Sequence, residues 1–412
     1  MRRGAAQKHR WDRRAFLRST ALTGAVAGVP FARGIAAQPQ QPSRVRRYAS
    51  LGRTGLEISD VSFGASRLRR GQGDLVRHAI DRGVNYFDTA DSYTGGQSEA
   101  VIGEALHGIR DRHYIATKTM AGAGDSAAEI MRALDGSLKR LKTDYVDVYF
   151  NHAVNDVRRL RNSGWFEFAE RAKAQGKIRY TGISGHGGKL NECVRYALEN
   201  DLVDVLLVAY NFGQDPAFYE GLTRSWDLVA TQPDLPVTLT EAREKGVGVI
   251  AMKTLVGARL NDMRPYERDG ATFAQAAFRW TLGNPDVDGL IISMTSAERI
   301  DEFLVASGAR GVGSEELALL RRYAQLNSLT YCRQACSACE SACPYEVPIP
   351  DVLRTRMYAT DYQDLDFARR EYAALDTNAS ACLSCSGEPC ARACAYGLDI
   401  SSLCAPTHRM LA

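Results

Sequence analysis

Between residues 61 and 293 the chain repeats one pattern, a short apolar or β-branched run followed by a stretch with helical periodicity. Eight runs have the length and composition of strands: Val61–Gly64, Val84–Asp88, Tyr114–Lys118, Tyr145–Asn151, Ile178–Ser184, Val203–Tyr210, Val247–Lys253 and Gly289–Ser293. Helical periodicity fills the intervals at Gly73–Arg82, Ser98–Gly108, Ser126–Leu141, Gly164–Gln175, Lys189–Asn200, Val237–Lys245 and Ala271–Gly283. Because such alternation gives parallel strands joined by right-handed crossovers, the pattern predicts an α/β domain.

The number of repeats favours one α/β architecture over another. Eight strand–helix units over about 260 residues fit a (β/α)8 TIM barrel, which typically needs about 250 residues. A doubly wound sheet is the competing arrangement. The sequence has no Gly-x-Gly-x-x-Gly after the first strand and no P-loop, and this weighs against the doubly wound sheet.

Polar side chains end four of the predicted strands, at Asp88, Lys118, His152 and Ser184. In a parallel barrel the carboxyl ends of the strands converge on one face, where active sites lie. Tyr93 follows Asp88 by five residues, in the predicted loop. We therefore expect these residues, distant along the chain, to meet in one bowl.

The side chains in that bowl suit proton transfer to a carbonyl oxygen. A free phenol titrates near 10, so Tyr93 needs a neighbour to move protons at neutral pH. The Lys118 ammonium would lower the pKa of Tyr93, Asp88 would hold Lys118 in place, and His152 would donate a hydrogen bond to the substrate. Each residue alone also has an ordinary structural explanation, as a helix cap, a packed ring or a solvated charge.

Several motifs occur together in the order found in one family. The segment Arg47–Leu56, the run Asp88–Tyr93, the strands ending in Lys118 and His152, and Gly176–Ser184 resemble the aldo-keto reductases over about residues 47–325. The resemblance implies a (β/α)8 barrel, NADP(H) bound without a Rossmann module, and a catalytic tetrad. That tetrad would consist of Asp88, Tyr93, Lys118 and His152.

The same resemblance assigns the cofactor residues. Ser184 corresponds to the residue that holds the nicotinamide carboxamide, and Ala251–Gly257, which contains Met252 and Lys253, resembles the pyrophosphate loop. Arg299 would pair with a 2′-phosphate, and Glu302 matches a residue of the adenosine end.

The chain departs from the family at Gly185, Ser293 and Phe303, where Asn, a basic residue and Asn are usual. These departures leave NAD(H) as the alternative to the expected cofactor, NADP(H).

Eight of the ten cysteines lie between residues 332 and 394. They form two quartets: Cys332, Cys336, Cys339 and Cys343, then Cys382, Cys385, Cys390 and Cys394. The Cys-x2-Cys-x3-Cys-Pro core of the first is typical of 4Fe–4S ligation, in which the last cysteine of each motif binds the other cluster. That rule would place Cys394 with the first three cysteines and Cys343 with the next three.

The second quartet departs from the ferredoxin pattern, because it carries an insertion before Cys390 and ends in Cys-Ala. One or two 4Fe–4S clusters are expected, with a three-iron cluster, a vacant second site, four disulfides or two structural zinc ions as alternatives. Some aldo-keto reductases carry a C-terminal ferredoxin-like extension with two such quartets, and this chain resembles them.

The pattern of the first 37 residues predicts an export signal. They hold eight Lys or Arg and one acid, and Arg13-Arg14 precedes an uncharged stretch from Ser19 to Ala32. That stretch is too short to span a bilayer, and its layout resembles a twin-arginine signal. The predicted organisation is a signal peptide over residues 1–37, a linker over 38–46, a barrel over 47–325 and an α-rich ferredoxin-like domain over 326–412.

Composition excludes several classes of partner. Hydrophobic residues make up 45% and charged residues 24%, and removing the +7 signal from the net charge of +4 leaves the remainder at −3. A mildly acidic body gives little reason to expect a nucleic acid, and no membrane span is expected in the mature form.

The sequence therefore predicts an exported, periplasmic oxidoreductase that interconverts a carbonyl and an alcohol of the aldehyde, ketone or sugar class. The expected partners are that substrate, the twin-arginine export machinery and an external electron donor or acceptor for the clusters. The competing interpretation is a barrel that turns over no nicotinamide and serves as an exported iron–sulfur electron-transfer or binding module.

Overall fold

The computed structural model describes residues 43–214, 234–255, 263–268, 271–309, 311–327, 332, 336–360 and 364–412. These belong to one compact unit, Pro42–Ala412. The predicted signal peptide and most of the predicted linker lie outside the described residues. Within them, no helix is both long and apolar enough to cross a membrane.

An antiparallel hairpin precedes the barrel. Its strands are β1 (Tyr48–Ser50) and β2 (Glu57–Ser59), with Tyr48 opposite Ser59. Leu51, Leu56 and Ile58 are buried against the side chains that fill the barrel interior. The hairpin therefore covers the end of the barrel at which the strands begin.

Eight parallel strands form a closed barrel within the described residues. They are β3 (Val61–Gly64), β4 (Tyr86–Asp88), β5 (Tyr114–Thr119), β6 (Val146–Asn151), β7 (Ile178–Gly185), β8 (Val205–Ala209), β9 (Gly248–Met252) and β10 (Gly289–Ser293). Each strand pairs with the next, and β10 pairs with β3 through Leu290 and Val61. The predicted barrel is confirmed, and the strand bounds differ from the predicted runs by two residues at most.

Helices follow the strands and cover the outside of the barrel. They are α1 (Gly73–Asp81), α2 (Gln97–Ala105), α3 (Ala127–Leu141), α4 (Val157–Leu160), α5 (Ser163–Ala174), α6 (Leu190–Glu199), α7 (Leu235–Glu244), α8 (Phe273–Leu282), α9 (Ala297–Leu304) and α10 (Ser314–Asn327). Local sequence fixes two of the starts, because Ser126 with Glu129 and Thr272 with Gln275 form capping boxes.

A close approach inside the barrel requires a glycine on β7. A Cβ atom on Gly182 would lie 2.3 Å from the Val205 carbonyl oxygen and 2.5 Å from the Phe150 ring. Both distances are far below van der Waals contact. The missing side chain thus lets β7 and β8 pair beside the buried Phe150, in the layer beneath the site.

The C-terminal residues build a second, smaller core. The helices are α11 (Ile349–Thr360), α12 (Leu365–Ala373), α13 (Pro389–Ala393) and α14 (Ile400–Leu411). Apolar side chains such as Val347, Val352 and Leu398 pack there with cysteines. The described part of this region is α-rich, as expected, and its ferredoxin-like character stays a prediction.

Candidate active site

The ends of β4 and β5 bring a carboxylate and an ammonium together at the barrel mouth. Lys118 Nζ donates to Asp88 Oδ1 at 2.6 Å and to the Thr89 carbonyl oxygen at 2.6 Å. Both side chains are almost fully buried. Parallel pairing in register produces this contact, since Asp88 on β4 lies opposite Ala116 on β5.

Tyr93 and His152 complete the group. The Lys118 ammonium lies 4.8 Å from the centre of the Tyr93 ring, and the Tyr93 and His152 rings meet edge to face at 5.6 Å between centroids. Thr94 and Ala153, which follow these two residues, both have positive φ, 50° and 52°. The structure thus brings the four predicted residues to one place, and the backbone beside two of them is strained.

Burial shifts the pKa of both partners in the ion pair. It raises the pKa of Asp88 and lowers that of Lys118, because each charged form loses hydration. The attraction between the two groups offsets part of each shift. One oxygen of Asp88, Oδ2, has no hydrogen-bond partner among the described residues.

The expected lowering of the Tyr93 pKa is not found. Burial first, and then the Asp88 charge, raise the pKa of Tyr93 well above the value of about 10 for a free phenol. The predicted lowering depended on the Lys118 charge. Asp88 Oδ1 lies 2.6 Å from Lys118 Nζ, and its negative charge compensates that of the ammonium. Tyr93 is therefore a protonated phenol at neutral pH in this structure.

His152 is a neutral imidazole. Burial, followed by the Lys118 charge, lowers the pKa of His152 well below 6.5. Its Nδ1 is buried and has no partner among the described residues. A neutral ring carries one N–H, so the residue is able to donate one hydrogen bond to a ligand oxygen.

The residues expected to hold nicotinamide and pyrophosphate lie at the ends of β7 and β9. Ser184 Oγ is buried and accepts a hydrogen bond from the Ala153 N–H at 3.0 Å. Met252 is the last residue of β9, and Lys253 after it has φ of 56°. The Thr254 hydroxyl is buried without a partner in the described structure.

The residues expected at the adenosine end lie on α9, beyond β10. Arg299 is exposed and donates to Glu302 Oε2 at 2.7 Å, one turn further along the helix. Phe303 packs against Phe278 in the core, so its side chain is not available to an adenine ring. Arg299 and Glu302 therefore pair with each other on the helix.

Sequence reasoning missed a contribution from α11 to the mouth. Tyr358 Oη lies 3.4 Å from His186 Nε2 and 3.4 Å from Lys253 Nζ. Arg354, one turn earlier, is bonded to Asp351 at 2.8 Å. The sequence shows only a helical stretch between two cysteine motifs here, and no local signal indicates what such a helix contacts.

Four cysteines line one hollow in the C-terminal region. Cys332, Cys336, Cys339 and Cys394 surround it together with apolar side chains. This is the grouping that the ferredoxin rule predicts. Burial raises the pKa of Cys339 to about 12.

The second group of cysteines is less complete. Cys390 lies close enough to Cys343 and Cys382 for their charges to raise its pKa. Cys382 forms a hydrogen bond with Cys404, a ninth cysteine that lies outside both predicted quartets. Over the described part of the chain, no set of three His, Cys, Asp or Glu side chains is arranged to hold a metal ion.

Fold and site together define a (β/α)8-barrel oxidoreductase with a buried Asp and Lys and a partly buried Tyr and His at its mouth. The model of the Aldo/keto reductase family matches residues 69–322, more than half of the chain, and the chain belongs to that family. The match ends before the first cysteine of the quartets.

Relatives and solved structures agree on the class. L-galactose dehydrogenase of Arabidopsis thaliana is 28% identical over 62% of this chain and 86% of its own length. L-glyceraldehyde 3-phosphate reductase of Escherichia coli is 26% identical over 70% of this chain and 94% of its own length. An aldo-keto reductase of Klebsiella pneumoniae in complex with NADPH has a TM-score of 0.52 at 25% identity, covering 68% of this chain and 95% of that one.

Proposed function

We propose that the protein reduces a carbonyl to an alcohol, or runs the reverse reaction, at the barrel mouth with NADP(H). The observation that carries this proposal is the contact between the Tyr93 ring, the Lys118 ammonium and the His152 ring. Family membership and the NADPH complex of a structural neighbour support the choice of cofactor.

Several buried polar groups near the strand ends suit a bound dinucleotide. The Thr254 hydroxyl and His152 Nδ1 lack partners among the described residues, as a ligand site would leave them. In TIM barrels the loops after the last two strands and the start of an extra helix commonly bind phosphate. Here these are the loops after β9 and β10 and the first turn of α9, with Lys253 and Arg299.

NADPH bound there would supply the hydride for the carbonyl carbon. Tyr93 is protonated and gives its proton to the carbonyl oxygen, so hydride and proton together yield the alcohol. His152 orients that oxygen by donating its N–H. The Lys118 ammonium, held in place by Asp88, lies beside the phenolate that the transfer leaves.

The substrate class is that of aldehydes, ketones and sugars. Two relatives are named for a sugar and for a phosphorylated aldehyde, L-galactose and L-glyceraldehyde 3-phosphate. The site supports reduction in particular, because the raised pKa of Tyr93 keeps the phenol as a proton donor.

The C-terminal cysteines are proposed to hold one or two 4Fe–4S clusters. Four cysteines around one apolar hollow are the donor type that a cubane takes, which spreads its thiolates over four iron atoms, although no three of them are arranged to hold a metal ion in the described structure. Such clusters would exchange single electrons with an external donor or acceptor. The support is stronger for Cys332, Cys336, Cys339 and Cys394, which line one hollow, than for the other four cysteines.

Export by the twin-arginine route to the periplasm completes the proposal. It rests on Arg13-Arg14 and the short uncharged stretch after them. Replacing both arginines by lysine should leave the unprocessed chain in the cytoplasm. A variant that still reaches the periplasm would contradict the proposed route.

Nicotinamide titration tests the proposed reaction. Purified protein should quench or enhance NADPH fluorescence saturably, and NADH more weakly, and should oxidise NADPH when an aldehyde panel is added. A protein that binds neither nicotinamide would contradict the proposal and favour a barrel without cofactor turnover.

Iron and sulfide analysis tests the clusters. Anaerobically prepared protein should contain about four iron and four sulfide per cluster and absorb broadly near 400 nm, with bleaching on reduction. Cys339→Ala should lose much of that band, and Cys193→Ala, a buried cysteine of α6, should keep it. Zinc in place of iron, or cysteines oxidised in pairs, would contradict it.

A further inference from the structure

Helix α11 forms part of the wall of the barrel mouth. Asn155 Nδ2, in the loop after β6, donates to Asp351 Oδ2 at 2.5 Å. A Cβ on Gly188, in the loop after β7, would lie 3.1 Å from the Pro350 ring. With Tyr358 against His186, the helix therefore touches the loops that follow two neighbouring strands.

Arg354 lies between these contacts, one turn from both Asp351 and Tyr358. Its side chain is 11% exposed, and one terminal nitrogen donates to Asp351 Oδ1. Its Nε is buried and has no hydrogen-bond partner among the described residues. Buried guanidinium donors normally find acceptors, so this N–H is open to a ligand that carries one.

The groups around Arg354 favour a negatively charged acceptor. The positive charge of Arg354 lowers the pKa of His152, His186 and Lys253, and none of these three residues supplies a negative charge. The acids on this side are Asp351, already bonded to Arg354 and Asn155, and Glu371 of α12, which acts from a distance. The guanidinium also hydrogen-bonds to Asp351 and Tyr358, so an oxyanion would accept a charge-assisted hydrogen bond from its Nε–H.

We propose that Arg354 binds an oxyanion group of the substrate, a carboxylate or a phosphate, while the substrate carbonyl lies at Tyr93. The inference rests on the proposed function for the position of the reacting carbonyl. It makes the C-terminal region a part of the substrate site and not only a carrier of cysteines.

Matched substrate pairs test the inference on the full chain. Succinic semialdehyde and butanal share a four-carbon skeleton and differ by the carboxylate, and glyceraldehyde 3-phosphate and glyceraldehyde differ by the phosphate. We expect kcat/KM for the anionic member of at least one pair to exceed that of its neutral partner by roughly 10- to 100-fold. The pair that shows it identifies the oxyanion.

Variants assign that preference to the guanidinium. Arg354→Gln should lower kcat/KM for the anionic member far more than for the neutral one, so that the preference disappears, and Arg354→Lys should retain only part of it. Arg356→Gln is the matched control, because two residues along a helix place its side chain on another face. If Arg354→Gln fails to fold, the charge-balanced pair Asp351→Asn with Arg354→Gln replaces it.

Binding of unreactive anions separates this inference from the proposed function. Calorimetric titration of wild-type protein with succinate and with inorganic phosphate should show binding that Arg354→Gln loses, whether or not any aldehyde is turned over. Turnover of neutral aldehydes without an anionic preference, or a preference that survives in Arg354→Gln, would overturn the inference and leave the proposed function standing. Absence of nicotinamide binding, with Arg354-dependent succinate binding intact, would overturn only the proposed function.

Discussion

Burial governs the protonation of the groups at the barrel mouth. The sequence places Lys118 and His152 correctly at strand ends, because apolar strand runs stop at polar residues there, and Tyr93 in the loop after Asp88. It does not give their pKa values, since these depend on how much water the fold excludes. Burial raises the pKa of Tyr93 and lowers that of His152, whereas neighbouring charges alone suggested a lower pKa for Tyr93.

Lys253 gives a pH-dependent contribution to stability that can be measured. Burial and the Arg354 charge lower the pKa of Lys253 to about 7, against about 10.4 in an unfolded chain. At pH values between these two pKa values, Lys253 is protonated in the unfolded chain and neutral in the folded chain. Its contribution to the free energy of unfolding therefore rises with pH. The titratable or charged groups that interact with it are Tyr358, Arg354, His152, His186 and Glu371.

We expect Lys253→Met to be more stable than wild type near pH 7. The advantage should shrink by up to about 1.4 kcal/mol per pH unit between pH 7 and pH 10. Urea unfolding of both proteins at pH 7, 8 and 9 measures the difference. A difference that does not change with pH would contradict the lowered pKa.

At the scale of elements, the barrel strands were predictable because buried parallel strands appear as continuous apolar runs. Val61–Gly64 and Gly289–Ser293 match the structure residue for residue. The position of α11 was not predictable, since Tyr358 contacts His186 across 172 positions of sequence. A helix between two cysteine motifs carries no local sign of the loop that it will cover.

Gly182 tests the packing of the barrel beneath the site. Gly182→Ala would place a methyl group against the Val205 carbonyl and the Phe150 ring, and we expect it to cost about 1–3 kcal/mol of unfolding free energy. Gly124→Ala is the control, because a Cβ there meets nothing within 4 Å. Equal stability of the two variants in chemical denaturation would contradict the tight approach of β7 and β8.

At the scale of the whole molecule, two apolar cores of unequal size share one chain. The barrel has an extended core, and the C-terminal helices pack a small one together with the cysteines. Regions with small cores commonly depend on metals or disulfides for stability. The proposed clusters would therefore stabilise the C-terminal core and, with it, the position of α11.

Removal of iron should loosen the C-terminal region before the barrel. We expect limited proteolysis of chelator-treated protein to degrade the helices after residue 336 and to leave a barrel fragment, as read by mass spectrometry. Untreated protein under the same protease is the control. Equal resistance with and without iron would contradict a structural role of the clusters.

The proposed reaction depends on proton delivery from Tyr93 to the substrate carbonyl. Single-turnover oxidation of bound NADPH by an aldehyde measures this step in wild type, Tyr93→Phe and Tyr145→Phe, the last lying next to β6 at the far end from His152. We expect Tyr93→Phe to bind NADPH normally but to transfer hydride about 100-fold more slowly or worse, with Tyr145→Phe unchanged. A Tyr93→Phe protein that oxidises NADPH at the wild-type rate would contradict it.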